Sequence, residues 1–240
     1  MGDEAASIMH LHGKRGWYNL CLEGDLTVFG FSVSQIISRL IVLLTSFSIH
    51  EFAHAWTADR FGDDTPRLHG RLTLNPAAHL DVVGSLMLLV AGFGWAKPVP
   101  INPYALRRRS AAGLMWVSIA GPMSNLLMAV LAAVPFRLGL VSPIIVEGKF
   151  LPTLSQFLWE FIIINLVLMI FNLIPLSPLD GEKVLVHFLP PNLAGSFEKI
   201  RPYGPMILLF LLFVAPMVGL DIIGGIIYPP IRFLVSLLIG

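Results

Sequence analysis

Two histidines four residues apart, with a glutamate beside the first, are the residues in this sequence best suited to catalysis. They are His50, Glu51 and His54, in the pattern H-E-x-x-H. Residues four apart lie on one face of a helix, so both imidazoles can bind one zinc ion. The adjacent carboxylate can take a proton from a water molecule that zinc has acidified. The pattern therefore predicts a zinc-dependent hydrolase.

The position of this pattern in the chain strengthens the prediction, because five residues with three fixed can arise by chance. The pattern follows a largely apolar run from Leu40 to Ile49. Ionisable groups inside a membrane span are costly and usually functional. The alternative is a helix end at which His50, Glu51 and His54 face the lipid headgroups.

A third zinc ligand is expected at the same depth, since a catalytic zinc commonly has three protein ligands and one position left for water. Asp180 is the candidate. It lies in the segment 172–181, where Pro175 and Pro178 break a helix and Gly181 permits a sharp turn. The alternative is an ordinary helix end with a solvated aspartate.

Composition indicates a membrane protein. The 240 residues are 55% hydrophobic and only 13% charged, whereas a soluble domain has about 25% charged residues. A spanning helix needs about 20 mostly apolar residues. Five segments approach this requirement: 31–60, 111–136, 154–173, 205–220 and 222–238.

The apolar segment 79–92 is too short for a simple crossing. Arginines flank it on both sides, and Lys and Arg favour the cytoplasmic side of short loops. A re-entrant segment keeps both groups of arginines on the inside, whereas a single crossing would put the two groups on opposite sides. The resulting topology predicts the N-terminus outside and the C-terminus inside. The pieces 68–75 and 97–102 are predicted to be extended. We therefore predict an all-α polytopic membrane protein of about five spans, with a re-entrant segment and short membrane-associated β-strands.

The sequence predicts one membrane-embedded domain over residues 31–240, preceded by an N-terminal extension, residues 1–30. That extension is mixed and polar and shows no cleavable signal peptide. His10 and His12 in it are expected to be solvated. Cys21 is the only cysteine, which excludes an intrachain disulfide. The net charge of +1 gives no broad basic field, so no nucleic-acid partner is expected.

Several motifs taken together resemble the site-2 protease family of intramembrane zinc metalloproteases, in a compact form without an appended PDZ or CBS domain. The resemblance covers about residues 33–215. The motifs that carry it are His50-Glu51-Phe-Ala-His54-Ala-Trp, Gly70-Arg-Leu-Thr-Leu-Asn75-Pro76, Gly94-Trp-Ala-Lys97-Pro98-Val-Pro100, Ala120-Gly121-Pro122-x-x-Asn125 and Phe171-Asn172-Leu-x-Pro175-x-x-Pro178-Leu-Asp180-Gly181.

The resemblance implies one zinc ion bound by His50, His54 and Asp180, with Glu51 as general base and acid. It also implies that Asn172 faces the substrate near the zinc. The substrate would be a transmembrane or membrane-anchored protein segment, unwound and paired with the extended pieces 68–75 and 97–103. The expected location is a prokaryotic plasma membrane, with the active site towards the cytoplasmic side. Oligomeric state is left open.

Two other functions fit parts of the pattern. A non-proteolytic membrane zinc-binding protein, a carrier or sensor, would need the histidines and Asp180 but not Glu51. An inactive regulatory homologue would bind membrane segments without cutting them; the intact ligands and glutamate argue against it. His69 and His79 either support the site or lie at the membrane interface, His187 is expected to be structural, and Asn125 is interpreted as a packing residue that hydrogen-bonds across helices.

Overall fold

The computed structural model describes residues 27–28, 31–81, 84 and 94–240. The predicted extension 1–30 lies outside the described residues except for Thr27–Val28. The predicted re-entrant segment 79–92 also lies outside them, apart from residues 79–81 and 84. The single-domain boundary at residue 31 therefore stays a prediction.

The described chain is mostly helical and confirms the predicted fold class. Five helical segments are long and apolar enough to cross a membrane. Helix α1 is Val33–Arg60, α2 is Thr65–Leu68, α3 is Pro76–His79, α4 is Pro103–Arg109, α5 is Gly113–Arg137, α6 is Leu154–Asn172 and α7 is Asp180–Phe188. The fourth span, Pro191–Val218, contains α8 (Pro191–Ile200), a 3₁₀ turn (Arg201–Tyr203), α9 (Gly204–Leu209), a π turn (Phe210–Val214) and a second 3₁₀ turn (Ala215–Val218). The fifth span is α10, Ile222–Ile239. Gly240, which follows it, lies beside Arg137 at the end of α5, so the C-terminus is at the end of the spans where α5 ends and not, as predicted, where α1 ends.

Helix α1 begins at a capping box and presents one face to the rest of the protein. The Ser32 side chain accepts from the backbone of Gln35, whose side chain bonds back to Ser32. Residues that recur every four positions form the buried face, and both histidines belong to it. They are Ser34, Ser38, Val42, Ser46, His50, His54 and Ala58. Small residues permit close approach of the helices at that interface.

Helices α5 and α6 pack with the last two spans around an apolar core, and α1 packs against both helices. The buried members of this core are Ala129, Ala132, Ala133, Phe136, Ile162, Leu166, Met169, Ile170, Ile174, Leu179, Leu208, Ile223, Ile227, Ile231 and Val235. Helix α5 packs against both α1 and α6, so it is the element on which the site helices are assembled.

The third span ends where the prolines predicted it would. Helix α6 ends at Asn172, and the chain makes turns through 173–179 before α7 begins at Asp180. Gly181 packs directly on the end of α6, because a Cβ at this position would collide with the carbonyl oxygens of Leu173 and Ile174. This contact holds the first turn of α7 against the third span.

The extended pieces differ from prediction in one place. Residues 97–102 are non-helical, and the preceding residue Ala96 forms an antiparallel bridge with Leu80. No strand forms over 68–75: Pro66 lies in the first turn of α2, and Gly70 turns the chain with φ of 67°. The described strands lie elsewhere, as an antiparallel pair β1 (Thr27–Val28) and β2 (Phe31–Ser32).

Candidate metal centre

Three predicted ligands meet at one point inside the protein. The Nε2 atoms of His50 and His54 are 3.0 Å apart. Oδ2 of Asp180 lies 3.1 Å from Nε2 of His54 and 3.3 Å from Nε2 of His50. Both histidines are buried, with 5% and 6% of their surface exposed. Residues 130 positions apart in the chain thus converge on a single small volume.

The geometry fits a zinc ion. Ligand atoms placed tetrahedrally at 2.0–2.1 Å from zinc are separated from each other by about 3.3 Å. The three distances in the cluster are close to this value. Two imidazoles and a carboxylate are also a ligand set found in zinc hydrolases, and they leave a fourth position for water.

Helix α7 supplies the carboxylate. Asp180 is the first residue of that helix, where the helix dipole favours a negative charge. Its Oδ1 is 3.5 Å from Nζ of Lys183, so the two carboxylate oxygens have different partners. Burial opposes ionisation of the Asp180 carboxyl, but without metal the protonated imidazoles of His54 and His50 hold its pKa below the usual range, and a zinc ion would take the place of those protons. Asp180 is therefore an anion available to a cation.

Helix α5 forms the back wall of the centre and orients both histidines. The carbonyl oxygen of Val117 lies 2.6 Å from Nδ1 of His54, and Oδ1 of Asn125 lies 2.5 Å from Nδ1 of His50. Nδ1–H of each ring therefore donates to α5, which leaves each Nε2 lone pair for metal. Such outer contacts fix the tautomer and ring orientation of zinc-bound histidines.

Gly121 lies between those two contacts on α5. A Cβ at this position would meet Nε2 of both His50 and His54. The space beside the ligand atoms exists because position 121 has no side chain. The Gly121-Pro122-x-x-Asn125 motif is thereby explained by contact with the cluster.

The sequence predicts a packing role for Asn125, and the structure gives this residue a more specific place. It does bond across helices, but its partner is the predicted ligand His50. Asn165 on α6 was not singled out from the sequence. It accepts from Nδ2 of Asn125 at 2.9 Å. An amide inside the otherwise apolar stretch 161–171 is the signal that would have identified it.

Glu51 lies beside the cluster on α1 and contacts the extended segment. Its Oε2 accepts a hydrogen bond from the backbone N–H of Val99 at 3.3 Å. The N–H of Lys97 donates to the carbonyl oxygen of His79 at 2.7 Å. Pro98 and Pro100 have no N–H. Within residues 97–100, every backbone N–H is thus either absent or already bonded.

The Asn172 side chain bonds to its own helix. Its Nδ2 donates to the carbonyl oxygen of Leu168, one turn back on α6, at 2.9 Å. Amide side chains near helix ends often bond to local backbone in this way.

The other predicted histidines lie outside the cluster. His69 is exposed and bonds to the Thr65 carbonyl oxygen. His79 is buried and bonds to the Thr73 carbonyl oxygen. The ring of His187 contacts Phe188.

Known proteins are similar to this chain over most of its length. YwhC of Bacillus subtilis (strain 168), named as a candidate zinc metalloprotease, is 44% identical over 189 residues, which are 78% of this chain and 84% of YwhC. The chain belongs to the site-2 protease family of zinc metalloproteases.

Two mycobacterial relatives extend the comparison. Rip2 of Mycobacterium tuberculosis (strain H37Rv), also named as a candidate zinc metalloprotease, is 32% identical over 183 residues, which are 72% of this chain and 65% of Rip2. Rip2 of Mycolicibacterium smegmatis is 32% identical over 181 residues, which are 70% of this chain and 64% of that relative. The chain thus spans just under two thirds of either Rip2 protein. No protein-family model and no solved structure matches it.

Family membership and fold together establish the general character of this protein. It is a membrane protein of a zinc metalloprotease family with relatives in bacteria, and zinc is its cofactor. Its class implies a protein substrate and its apolar helices imply a lipid bilayer around it.

Proposed function

We propose that this protein is an intramembrane zinc endopeptidase that hydrolyses peptide bonds of transmembrane or membrane-anchored proteins. The observation that carries the proposal is the convergence of His50, His54 and Asp180 between spanning helices, with Glu51 on the same helix as the histidines. A site at that depth can reach a peptide bond that soluble proteases cannot reach.

His50, His54 and Asp180 are proposed to hold the zinc ion. When bound, zinc supplies a Lewis acid that polarises a carbonyl group and lowers the pKa of water. Glu51 takes a proton from the attacking water as its oxygen bonds to the scissile carbonyl carbon. Glu51 then gives that proton to the amine nitrogen as the C–N bond breaks.

The extended segment 97–102 is proposed to receive an unwound substrate beside Glu51. Its backbone limits the kind of pairing, because residues 97–100 have no free N–H to offer. A substrate strand laid against these residues is held by donating its own N–H groups to carbonyl oxygens. The contact is therefore one-sided, unlike the reciprocal ladder of ordinary strand addition.

Asn172 is proposed to contact the substrate or the developing oxyanion through its amide NH₂. It lies in the last turn of α6, eight positions before the ligand Asp180. In this role the amide exchanges its bond to the Leu168 carbonyl oxygen for a bond to substrate.

The test compares zinc content with cleavage of a purified single-span model substrate. Wild type is expected to hold one zinc per chain, and His54→Ala and Asp180→Asn to lose it. Glu51→Gln should keep zinc and lose activity by at least about 100-fold, since it removes the general base. Asn172→Leu should keep zinc and lose less activity. Full turnover by Glu51→Gln would remove Glu51 from the mechanism.

The same variants separate a protease from a zinc carrier or sensor. A carrier would move zinc into liposomes, and Glu51→Gln would leave that flux intact. Zinc flux without cleavage of any membrane substrate would contradict the proposal, whereas cleavage that depends on both Glu51 and Asp180 would support it.

A further inference from the structure

Two buried amide side chains and one backbone carbonyl form a hydrogen-bonded series that ends on the proposed ligand His50. Nδ2 of Asn165 donates to the carbonyl oxygen of Phe161 at 2.8 Å. Nδ2 of Asn125 donates to Oδ1 of Asn165 at 2.9 Å, and Nδ1 of His50 lies 2.5 Å from Oδ1 of Asn125. Asn125 and Asn165 are fully buried, each with 0% exposure. The series links α6, α5 and α1.

Which group donates and which accepts in each of these hydrogen bonds is determined at Phe161, the end farthest from the metal. A backbone carbonyl can only accept, so the Phe161 carbonyl oxygen requires Asn165 to turn its NH₂ towards it. Oδ1 of Asn165 then faces α5 and requires a donor from Asn125. Asn125 therefore presents its own oxygen to His50.

The orientation of Asn125 decides whether His50 can bind metal. An oxygen facing Nδ1 holds the proton on Nδ1 and leaves the lone pair on Nε2, which faces Asp180 and His54. A reversed amide would present NH₂ to Nδ1 and favour the proton on Nε2, where it would block the metal. His54 needs no such device, because its Nδ1 meets the Val117 carbonyl oxygen, a fixed acceptor.

We propose that Asn165 is a positioning residue that sets the metal-binding tautomer of His50 by orienting the Asn125 amide. The inference rests on the proposed zinc site. Asn165 itself touches neither the three ligands nor the position of the metal. Asn165 acts on His50 only through the Asn125 side chain. The alternative role for Asn165 is to fill space between α5 and α6.

A rescue experiment separates positioning from packing. An aspartate at position 125 can accept through either oxygen, so it needs no partner to orient it. Asn165→Leu is expected to weaken zinc affinity about 10-fold, at the lower end of the loss for a group that supports a ligand. Asn125→Asp alone sets a carboxylate oxygen against Oδ1 of Asn165, so it serves only as the reference for the double variant. The double variant Asn125→Asp/Asn165→Leu should recover wild-type affinity, although it lacks the same buried amide.

The measurement is zinc affinity of the full chain in detergent, by competition with a chromophoric chelator, together with the cobalt-substituted absorption spectrum. Gln156→Leu is the matched control. It removes a buried amide from the same helix, about 14 Å away along the axis, and should leave affinity unchanged. Thermal unfolding reports folding, and Asn165→Ala, alone and with Asn125→Asp, repeats the comparison if the leucine variant fails to fold.

The outcomes decide the inference independently of proteolysis. Affinity of Asn165→Leu within twofold of wild type would overturn it, as would a double variant as weak as Asn165→Leu, since that pattern indicates packing. Rescue by aspartate supports it. Wild type that binds zinc but cleaves nothing would contradict the proposed function and leave this inference standing.

Discussion

At the residue scale, the centre depends on one face of α5 that matches two histidines on α1. Val117, Gly121 and Asn125 recur every four positions and so lie on one face of α5. The first contacts His54, the last contacts His50, and the glycine faces both Nε2 atoms. The two histidines are therefore oriented by two polar contacts on α5, and the position between these contacts has no side chain.

Replacing Gly121 by alanine is expected to remove zinc without unfolding the protein. The new methyl group would occupy the space beside both Nε2 atoms. In the helix itself, alanine is favoured over glycine by about 1 kcal/mol. Zinc content should therefore fall well below one ion per chain, while circular dichroism keeps its helical signal.

Gly225→Ala is the control for this change, because a Cβ at Gly225 in α10 meets nothing within 4 Å. It should retain zinc like wild type. Normal zinc affinity in Gly121→Ala would mean that the space beside the histidines is wider than the structure indicates.

At the element scale, the position of Asp180 depends on how the short helix α7 is held. Gly181 packs against the end of α6, and the buried Glu182 pairs with Arg201 at 2.9 Å. Arg201 belongs to the turn that follows α8 in the fourth span. Helix α7 is thus held to the third span on one side and to the fourth on the other.

Arg201→Ala is expected to destabilise the protein and loosen its metal. Glu182 would lose its cationic partner while it stays 3% exposed. The cost should be about 1–2 kcal/mol, below that for a fully buried pair because the Arg201 side chain is 54% exposed. Denaturant unfolding and the rate of zinc loss to a chelator measure the two effects.

Lys199→Ala removes a nearby cation of α8 that forms no ion pair among the described residues. Its midpoint of unfolding should equal that of wild type. If both variants lost the same stability, the loss would be due to charge at this end of the protein rather than to the pair.

At the scale of the whole molecule, charge is distributed unequally between the two ends of the spans. The end that carries the metal centre has more cations than the other, whose described cations are Arg39, Arg137 and Lys149. The cations at the first end are Arg60, Arg67, Arg71, Lys97, Arg107, Arg108, Arg109, Lys183, Lys199 and Arg201. Because Lys and Arg favour the cytoplasmic side, we propose that the centre opens towards the cytoplasm.

Cysteine labelling in intact cells tests this orientation. Cys21 is the only native cysteine, so Cys21→Ser provides a background for single cysteines. A membrane-impermeant maleimide should label Ile144→Cys, between α5 and α6, and should not label Arg108→Cys in α4 until the cells are opened. Both positions are exposed. Labelling of Arg108→Cys alone in intact cells would reverse the orientation.

Local patterns in the sequence were sufficient to predict the spans and the three proposed ligands. Apolar runs of sufficient length predict spanning helices whatever their neighbours, because lipid demands an apolar surface and internal backbone hydrogen bonds. The spacing of His50 and His54 is a property of one helix. Asp180 could be predicted as the third ligand because the prolines before it end a span. The direction of that span places its end at the depth of the two histidines.

The surroundings of those three residues follow from contacts between elements that are distant in the chain. The contact between His50 and Asn125 joins positions 75 residues apart, and that between Glu51 and Val99 joins positions 48 apart. The rotation of α1 against α5 sets the first contact, and the path of the chain through 97–100 sets the second. Neither is encoded in local periodicity, since both depend on how separate elements pack. For the same reason, the sequence alone identified the three proposed ligands, whereas the proposed role of Asn165 depends on the packing of three helices around them.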